Sequence, residues 1–347
     1  MLIIFIYIST ISLSLIFIQS KYLILIDSPR DQVHKSIYNK NTPLTGGIYI
    51  FVTMTTYILH AGYNDHSFLV IVLLFSFLIL GIFSDLKTHF SPKLRLLLQF
   101  VLLIIFIFFL DLKIDKTGIF FLDYFINNNI FNLFFSCICI LILINGSNLC
   151  DGVNCNVIGY YLIITLAILF IELPKPDNFP DIKIIMIIFF VFYLVNLFQK
   201  SFLGDNGVYV ISVFMSIYVI NFINLNNTIS PLLALNLLWY PAFENLFTIV
   251  RRLNENKIIE AADKLHFHTL LLNKIFHLNG NFLISNSLTG IVLNFFMLVG
   301  VFLSVNYYDN AKVLALILLI NIIIYILVYF LFLSKKTKFE THEQNQK

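Results

Sequence analysis

Apolar residues in this 347-residue chain gather into long runs separated by short polar clusters, without the alternation of half-buried strands. A helix crossing the hydrocarbon core of a bilayer needs about 17–25 residues. Eleven runs meet or approach that length: 2–20, 46–63, 67–84, 94–111, 130–147, 156–172, 182–198, 206–224, 229–246, 285–305 and 312–333. Gly, Asn or Pro interrupts those at 46–63, 130–147 and 229–246, so ten or eleven transmembrane helices are expected. The first run lacks both a basic leading segment and a small-residue cleavage site, and is expected to stay as a helix. The segment 270–284, with Leu270, Leu271, Leu272, Ile275, Phe276 and Leu278, has the pattern of a short amphipathic helix lying on a leaflet.

Composition agrees with this reading. Apolar residues make up 59% and charged residues 12%, with a mean hydropathy of +0.89. Soluble domains carry about 45–50% and 25%. A globule with so few charges could not wet its surface, so the expected class is all-α and polytopic, embedded in a lipid bilayer. One transmembrane domain over 1–334 with a polar tail at 335–347 accounts for the whole pattern. Thirteen Gly, eight Pro and four Cys exclude collagen-like, disordered and disulfide-stapled chains. A net charge of +3 is too small to suggest a nucleic-acid partner.

Where the charges sit says more than their sum. Of the 22 Lys and Arg, seventeen fall in one alternate set of loops and in the tail, among them Lys21, Arg30, Lys87, Arg95, Lys200, Arg251, Arg252 and Lys335. The opposite set holds five: Lys113, Lys116, Lys175, Lys183 and Lys312. Basic residues favour the cytoplasmic side. This predicts an outside N-terminus, a cytoplasmic C-terminus and cytoplasmic loops at 21–45, 85–93, 147–156, 199–206 and 247–284.

Five polar clusters fall on that side: 27–47, 81–95, NGSNLCDGVN at 145–154, FLGDNG at 202–207, and 251–268. An acid at the mouth of an apolar helix is costly unless solvated, paired or bound to a cation. Asp85, Asp151 and Asp205 each stand at such a mouth. Any one of them alone reads most simply as a solvated helix end; three on one side read better as one site. Hard carboxylate oxygens with few thiolates suit Mg²⁺, or Mn²⁺, which binds through one or two carboxylates plus waters and phosphates. Gly204 and Gly207 flank Asp205, leaving room for a diphosphate, so Asp205 is the expected metal ligand. Asn145, Asn148, Asp151 and Asn154 recur every three residues and would line one helical stripe that could hold a sugar or diphosphate. Arg251 and Arg252 suit phosphate oxygens, and His266 and His268 can donate to them. H-x-H is also a zinc spacing, but no third ligand stands nearby. Cys150 and Cys155 are expected to be packing residues.

The order of these clusters resembles the polyprenyl-phosphate N-acetylhexosamine-1-phosphate transferases, glycosyltransferase family 4. Asp27, His34, Pro43, Gly46 and Gly47 look like the family's opening pattern, and Gly81 to Asp85 like its acidic pair. Asn145 to Asn154 look like its Asn-rich DG motif, Gly204 to Gly207 like its GDxG, and Asp263 to His268 like its closing His motif. YPAFENLFTIVRR at 240–252 is similar to the surface-polysaccharide branch. The chain departs from the pattern at Ser84, where most members carry the first Asp of a pair. It departs again at Asn154, where many have a second Asp, and at Val33 and Leu44, where many have basic residues.

The resemblance implies transfer of a sugar 1-phosphate from a UDP-activated N-acetylhexosamine to polyprenyl (undecaprenyl) phosphate, releasing UMP and initiating surface-polysaccharide synthesis at a bacterial inner membrane. Asp151 and Asp85 would be catalytic and Asp205 the Mg²⁺ ligand. His34, Asn145, Asn148, Asn154, Arg251, Arg252, Asp263, His266 and His268 would bind substrate; a homodimer is compatible with this scheme. Two other classes are a polytopic transporter or lipid flippase, which would place acids near the bilayer midplane, and an inactive relative serving polysaccharide assembly.

Overall fold

A computed structural model describes residues 10, 11, 14, 25–27, 42–61, 65–86, 91–177, 179–256, 263 and 265–344, without the side chains of 26, 27 and 334–344. Two short strands, β1 (Ile26–Asp27) and β2 (Thr42–Pro43), pair antiparallel with Ile26 opposite Pro43. Helices follow: α1 (Gly46–Ala61), α2 (Asp65–Asp85), α3 (Pro92–Phe109), α4 (Phe120–Ile126), α5 (Asn129–Cys150) and α6 (Asn156–Phe170). After them come α7 (Ile182–Leu197), α8 (Gly204–Leu225), α9 (Leu232–Asn254), α10 (Phe267–Asn279), α11 (Phe282–Asn306) and α12 (Ala311–Gln344). Each apolar run from 46 onward overlaps one of these helices; the run 2–20 lies almost wholly outside the described residues. Among the described residues, seven helices are long and apolar enough to cross a membrane: α2, α3, α5, α8, α9, α11 and the Ala311–Leu333 part of α12. The chain is an all-α, multi-pass membrane protein.

The order of burial explains the arrangement. A helix apolar on every face has no side to show water and goes to the centre. α8 does so, with Tyr209, Phe214 and Tyr218 buried, and packs against α1, α2 and α5. α12 keeps Leu316, Leu319, Ile323, Leu327 and Phe330 exposed, a face suited to lipid. Polar residues start several helices: Ser91 accepts from the Leu94 N–H at 3.2 Å before Pro92, and Asn128 accepts from the Ile130 N–H at 3.0 Å. Such caps satisfy backbone donors that a helix start leaves open.

Pro241 inside α9 removes the N–H that would bond the Leu237 carbonyl. The Tyr160 hydroxyl of α6 takes that place, donating to Leu237 O at 2.5 Å. Beside it, α5 approaches so closely that a Cβ on Gly146 would lie 1.9 Å from the Pro241 carbonyl oxygen.

Local expectations change at two helix ends. The polar 247–284 segment is not all loop: α9 runs on to Asn254, carrying Arg251 and Arg252 on helix, because a helix does not stop where its apolar content stops. For the same reason α12 carries the polar tail on to Gln344. α10 buries Leu270, Leu271 and Leu272 on a side that packs against α11 and α12 and leaves Leu278 exposed. Cys150 and Cys155 are both buried, as packing residues would be.

Replacing Gly146 by Val should force α5 and α9 apart. Overpacking of this kind costs about 1–3 kcal/mol, so the thermal midpoint of the detergent-solubilised protein is expected to fall. An unchanged midpoint would remove the close approach at Pro241.

Candidate active site at the helix mouths

The C-terminal ends of α2 and α5 meet the N-terminal ends of α3 and α8. At that junction the Asp85 carboxylate accepts the backbone N–H groups of Asp205 at 2.9 Å and Asn206 at 3.1 Å. It also accepts the Asn206 side-chain amide at 2.5 Å. These are open donors of the first turn of α8, where helix geometry also favours a negative charge. The Asn206 amide oxygen takes the Gly47 N–H at 2.8 Å, tying α1 to the same corner.

Asp205 faces the other way. Its Oδ1 accepts from Asn148 Nδ2 at 2.6 Å, and its Oδ2 from the Ser84 hydroxyl and from Arg95 NH1 at 3.3 Å. Arg95 also reaches the Ser84 hydroxyl at 3.2 Å. The side chains of Asp205 and Arg95 are each about a quarter exposed, 26% and 25%, so the carboxylate meets solvent. The flanking glycines differ in role from the expectation. Gly204 makes the turn at φ +70°, and Gly207 is packed against Leu203 and the Gly47 backbone rather than left open.

Asn148 lies in the last turn of α5, and its carbonyl accepts the Asp151 N–H at 3.3 Å. The expected stripe breaks here, because the helix ends at Cys150 and the chain turns through Asp151 to Cys155. Asn145 stays on α5 and donates to Gln99 Oε1 at 3.0 Å and to the Leu141 carbonyl. Asn154 turns into the interior, where its N–H meets Asn286 at 2.7 Å and its amide meets Ser287 at 3.2 Å. Of the four stripe positions, Asn148 and Asp151 therefore stand at the junction, and Asn145 and Asn154 join helices elsewhere.

A second cluster sits against this turn. Arg251 pairs with Asp263, whose Oδ2 also lies 3.3 Å from Arg252 Nε. Burial would raise the Asp263 carboxyl, but hydrogen bonds from Arg251 and the Leu265 N–H, with the Arg251 charge, hold it down to about 2. His266 Nε2 lies 4.0 Å from the same carboxylate. The His268 ring lies parallel to that of His266, with centroids 5.7 Å apart. His268 closes the gap to the first cluster: a Cβ on Gly152 would lie 1.9 Å from its Nε2. Only glycine admits that ring beside Asp151. Burial, then the neighbouring His266, push the His268 imidazole down to about 4. His34 lies outside the described residues, as does the side chain of Asp27.

The sequence that builds this junction has a counterpart in known proteins. The sequence model of glycosyl transferase family 4 matches residues 67–223, the stretch that carries Ser84, Asp85, Arg95, Asn148, Asp151 and Asp205. Over that segment the chain is similar to glycosyl transferase family 4. It is also 26% identical, over 263 residues, to a Bacillus subtilis (strain 168) protein described as a probable undecaprenyl-phosphate N-acetylglucosaminyl 1-phosphate transferase. That similarity covers 71% of this chain and 69% of the relative. These two likenesses indicate a sugar-phosphate transferase, an enzyme. Its Arg251–His268 cluster lies beyond the matched segment but is joined to it through Gly152.

Sequence reasoning missed Arg95, because it comes from α3 and not from the FLGDNG segment it pairs with. It also missed Glu244, hidden within the YPAFENLFTIVRR segment. The basic residue at the foot of an apolar helix was the available signal for the first.

The His268 shift sets a pH dependence. A histidine held neutral by the fold contributes stability that is full above its unfolded value of 6.5 and is lost as pH falls toward about 4. Between those limits wild type should lose thermal stability faster than His268→Gln. Parallel pH profiles for the two proteins would contradict a buried neutral ring.

Proposed function

We propose that this transferase moves a sugar 1-phosphate, GlcNAc 1-phosphate or a related N-acetylhexosamine 1-phosphate, from a UDP-sugar to polyprenyl phosphate, with release of UMP. The observation that carries the reading is the Gly152–His268 contact, together with the Asn148–Asp205 hydrogen bond. Through them three separated motifs share one polar junction beside an apolar bundle. A soluble phosphosugar donor and a lipid phosphate acceptor need both environments at once.

The residues divide the work by geometry. Asp85 has its oxygens committed to the start of α8, so Asp151 is the better candidate to orient or deprotonate the attacking lipid phosphate. Arg95 and the Arg251–Arg252 pair are placed to neutralise phosphate oxygens that would otherwise repel each other. Asp205, Ser84 and Asn148 offer oxygen donors at a partly exposed mouth. Among the described residues no group of three or more His, Cys, Asp or Glu converges as a protein cage. One carboxylate with neighbouring hydroxyl and amide oxygens fits Mg²⁺ or Mn²⁺, which complete their shell with waters and phosphates. Bound there, such an ion would screen the diphosphate and stabilise the leaving nucleotide. In that state Arg95 would pass from Asp205 to a substrate phosphate.

The basic-residue bias supports eleven spans with this junction and 247–284 in the cytoplasm, an outside N-terminus and a bacterial inner membrane, as for enzymes that start O-antigen, capsule or similar polymers. The transmembrane unit would span 1–334. The exposed apolar helices leave room for a homodimer.

Purified protein incubated with labelled UDP-GlcNAc, or other UDP-N-acetylhexosamines, and undecaprenyl phosphate should yield labelled lipid and UMP with Mg²⁺. No product from any donor would overturn the reading. Asp205→Asn is expected to lower turnover by about 10²-fold or more, in line with removal of one strong electrostatic contact. Asp151→Asn should be comparable, and Ser84→Ala far milder. Near-normal Asp205→Asn with an inactive Ser84→Ala would reverse the assignment. For topology, a cysteine introduced at Asn256 should resist impermeant thiol reagents on intact cells and react after permeabilisation. Labelling from outside would invert the orientation.

A further inference from the structure

We propose that Glu244, a carboxylate inside the apolar length of α9 that the reaction scheme does not use, is a positioning residue that fixes the His266 ring from beneath. The kinetic part of the argument rests on the transferase reading; the geometric part does not.

Glu244 is 1% exposed. An ionised carboxylate at such a place costs several kcal/mol unless donors surround it. Three do. Oε1 accepts from His266 Nδ1 at 3.0 Å and from the Phe267 N–H at 3.4 Å, and Oε2 accepts from the Tyr325 hydroxyl of α12. A carboxylate is acceptor-only, so Nδ1 of His266 carries its proton toward Glu244. The opposite nitrogen, Nε2, is thereby aimed at Asp263, 4.0 Å away, and at the Arg251–Arg252 pair that holds Asp263. The parallel stack on His268 holds the plane of the ring. Among the described residues, the charged and titratable groups around it are Glu244, Asp263, Arg251, Arg252, His268 and Tyr325.

The sequence spacing supports one function for the set. Glu244 and Arg252 are eight residues apart on α9, so they share a face about 12 Å apart. His266 enters between them from another segment, bonded to Glu244 directly and facing the arginines across Asp263. A helix rooted in the bundle therefore carries both the acid that orients the imidazole and the arginine beside which its free nitrogen is presented. A lone structural acid would need the donors but not this direction. A protein can use an oriented imidazole to donate to, or accept from, a phosphate or sugar group.

Two measurements test it. In ¹⁵N-histidine-labelled protein, with the His266 signals identified by His266→Gln, Nδ1 should be protonated whether the ring is neutral or cationic. A neutral ring protonated only on Nε2 would overturn the proposal, with or without activity. In the transfer assay, Glu244→Gln should lower kcat by roughly tenfold, with the donor KM changed by less than about twofold. In a His266→Gln background the same change should cost less than about twofold, because its route is already cut. Equal losses in both backgrounds would show that Glu244 does not act through His266. If wild type transfers no sugar phosphate at all, the transferase reading fails, and the nitrogen measurement still decides this one.

Discussion

Asp85 holds the first turn of α8, and the rest of the site takes its position from that grip. Two backbone donors and one side-chain amide converge on its carboxylate. The turn cannot rotate without exposing them in a region short of water. Because α8 is also the most enclosed of the seven long apolar helices described, fixing its end fixes Asp205 relative to α2, α3 and α5 together. Asp205 can then face solvent, although it belongs to a deeply buried helix.

That arrangement makes physical sense of Ser84. A carboxylate at 84 would stand beside Asp205 and within reach of Arg95, adding a like charge to a corner that already holds Asp85. The hydroxyl instead donates to Asp205 and accepts from Arg95. Among the described residues, the corner thus joins two acids, Asp85 and Asp205, with the cation Arg95. One of the acids is neutralised largely by helix-end donors. Fewer carboxylates leave Asp205 with sharper responsibility for any cation, and leave Arg95 in partnership with it until a phosphate competes.

How much of this could be read from residues alone depends on distance along the chain. The helical class and the positions of the apolar runs follow from 59% apolar content and need only local information. The grouping of Asp85, Asp151 and Asp205 at one end followed from alternation of spans, a global but simple rule. Partners did not follow. Asn145 and Asn148 are three residues apart on one helix and have the same chemistry, yet one bonds Gln99 and the other Asp205. The neighbouring helix decides which, and spacing carries no record of it. Asn154 left the expected stripe because the helix ends at Cys150, an event set by the Gly152 turn and its fit to His268. Arg251 and Arg252 were assigned to a loop because polarity was read as the end of a helix.

α9 shows how the two ends of the problem are joined. Pro241 would normally weaken a helix in lipid by freeing the Leu237 carbonyl, and such a carbonyl needs an internal donor. Tyr160 supplies it, and Gly146 lets α5 close against the same bend. With that turn secured, α9 can carry Glu244 one turn further along without opening the bundle to water. Beyond Glu244 the helix continues to Arg251 and Arg252, and α10 returns His266 and His268 to its side. The same stretch therefore absorbs a backbone defect, an interior acid and a pair of cations. Each is satisfied by a residue from a different helix: Tyr160 from α6, Tyr325 from α12, and Asp263 from the segment leading into α10. A chain with so few charges can place them in its interior only where several helices already meet, and in this fold that place is beside the mouth where Asp151 and Asp205 stand.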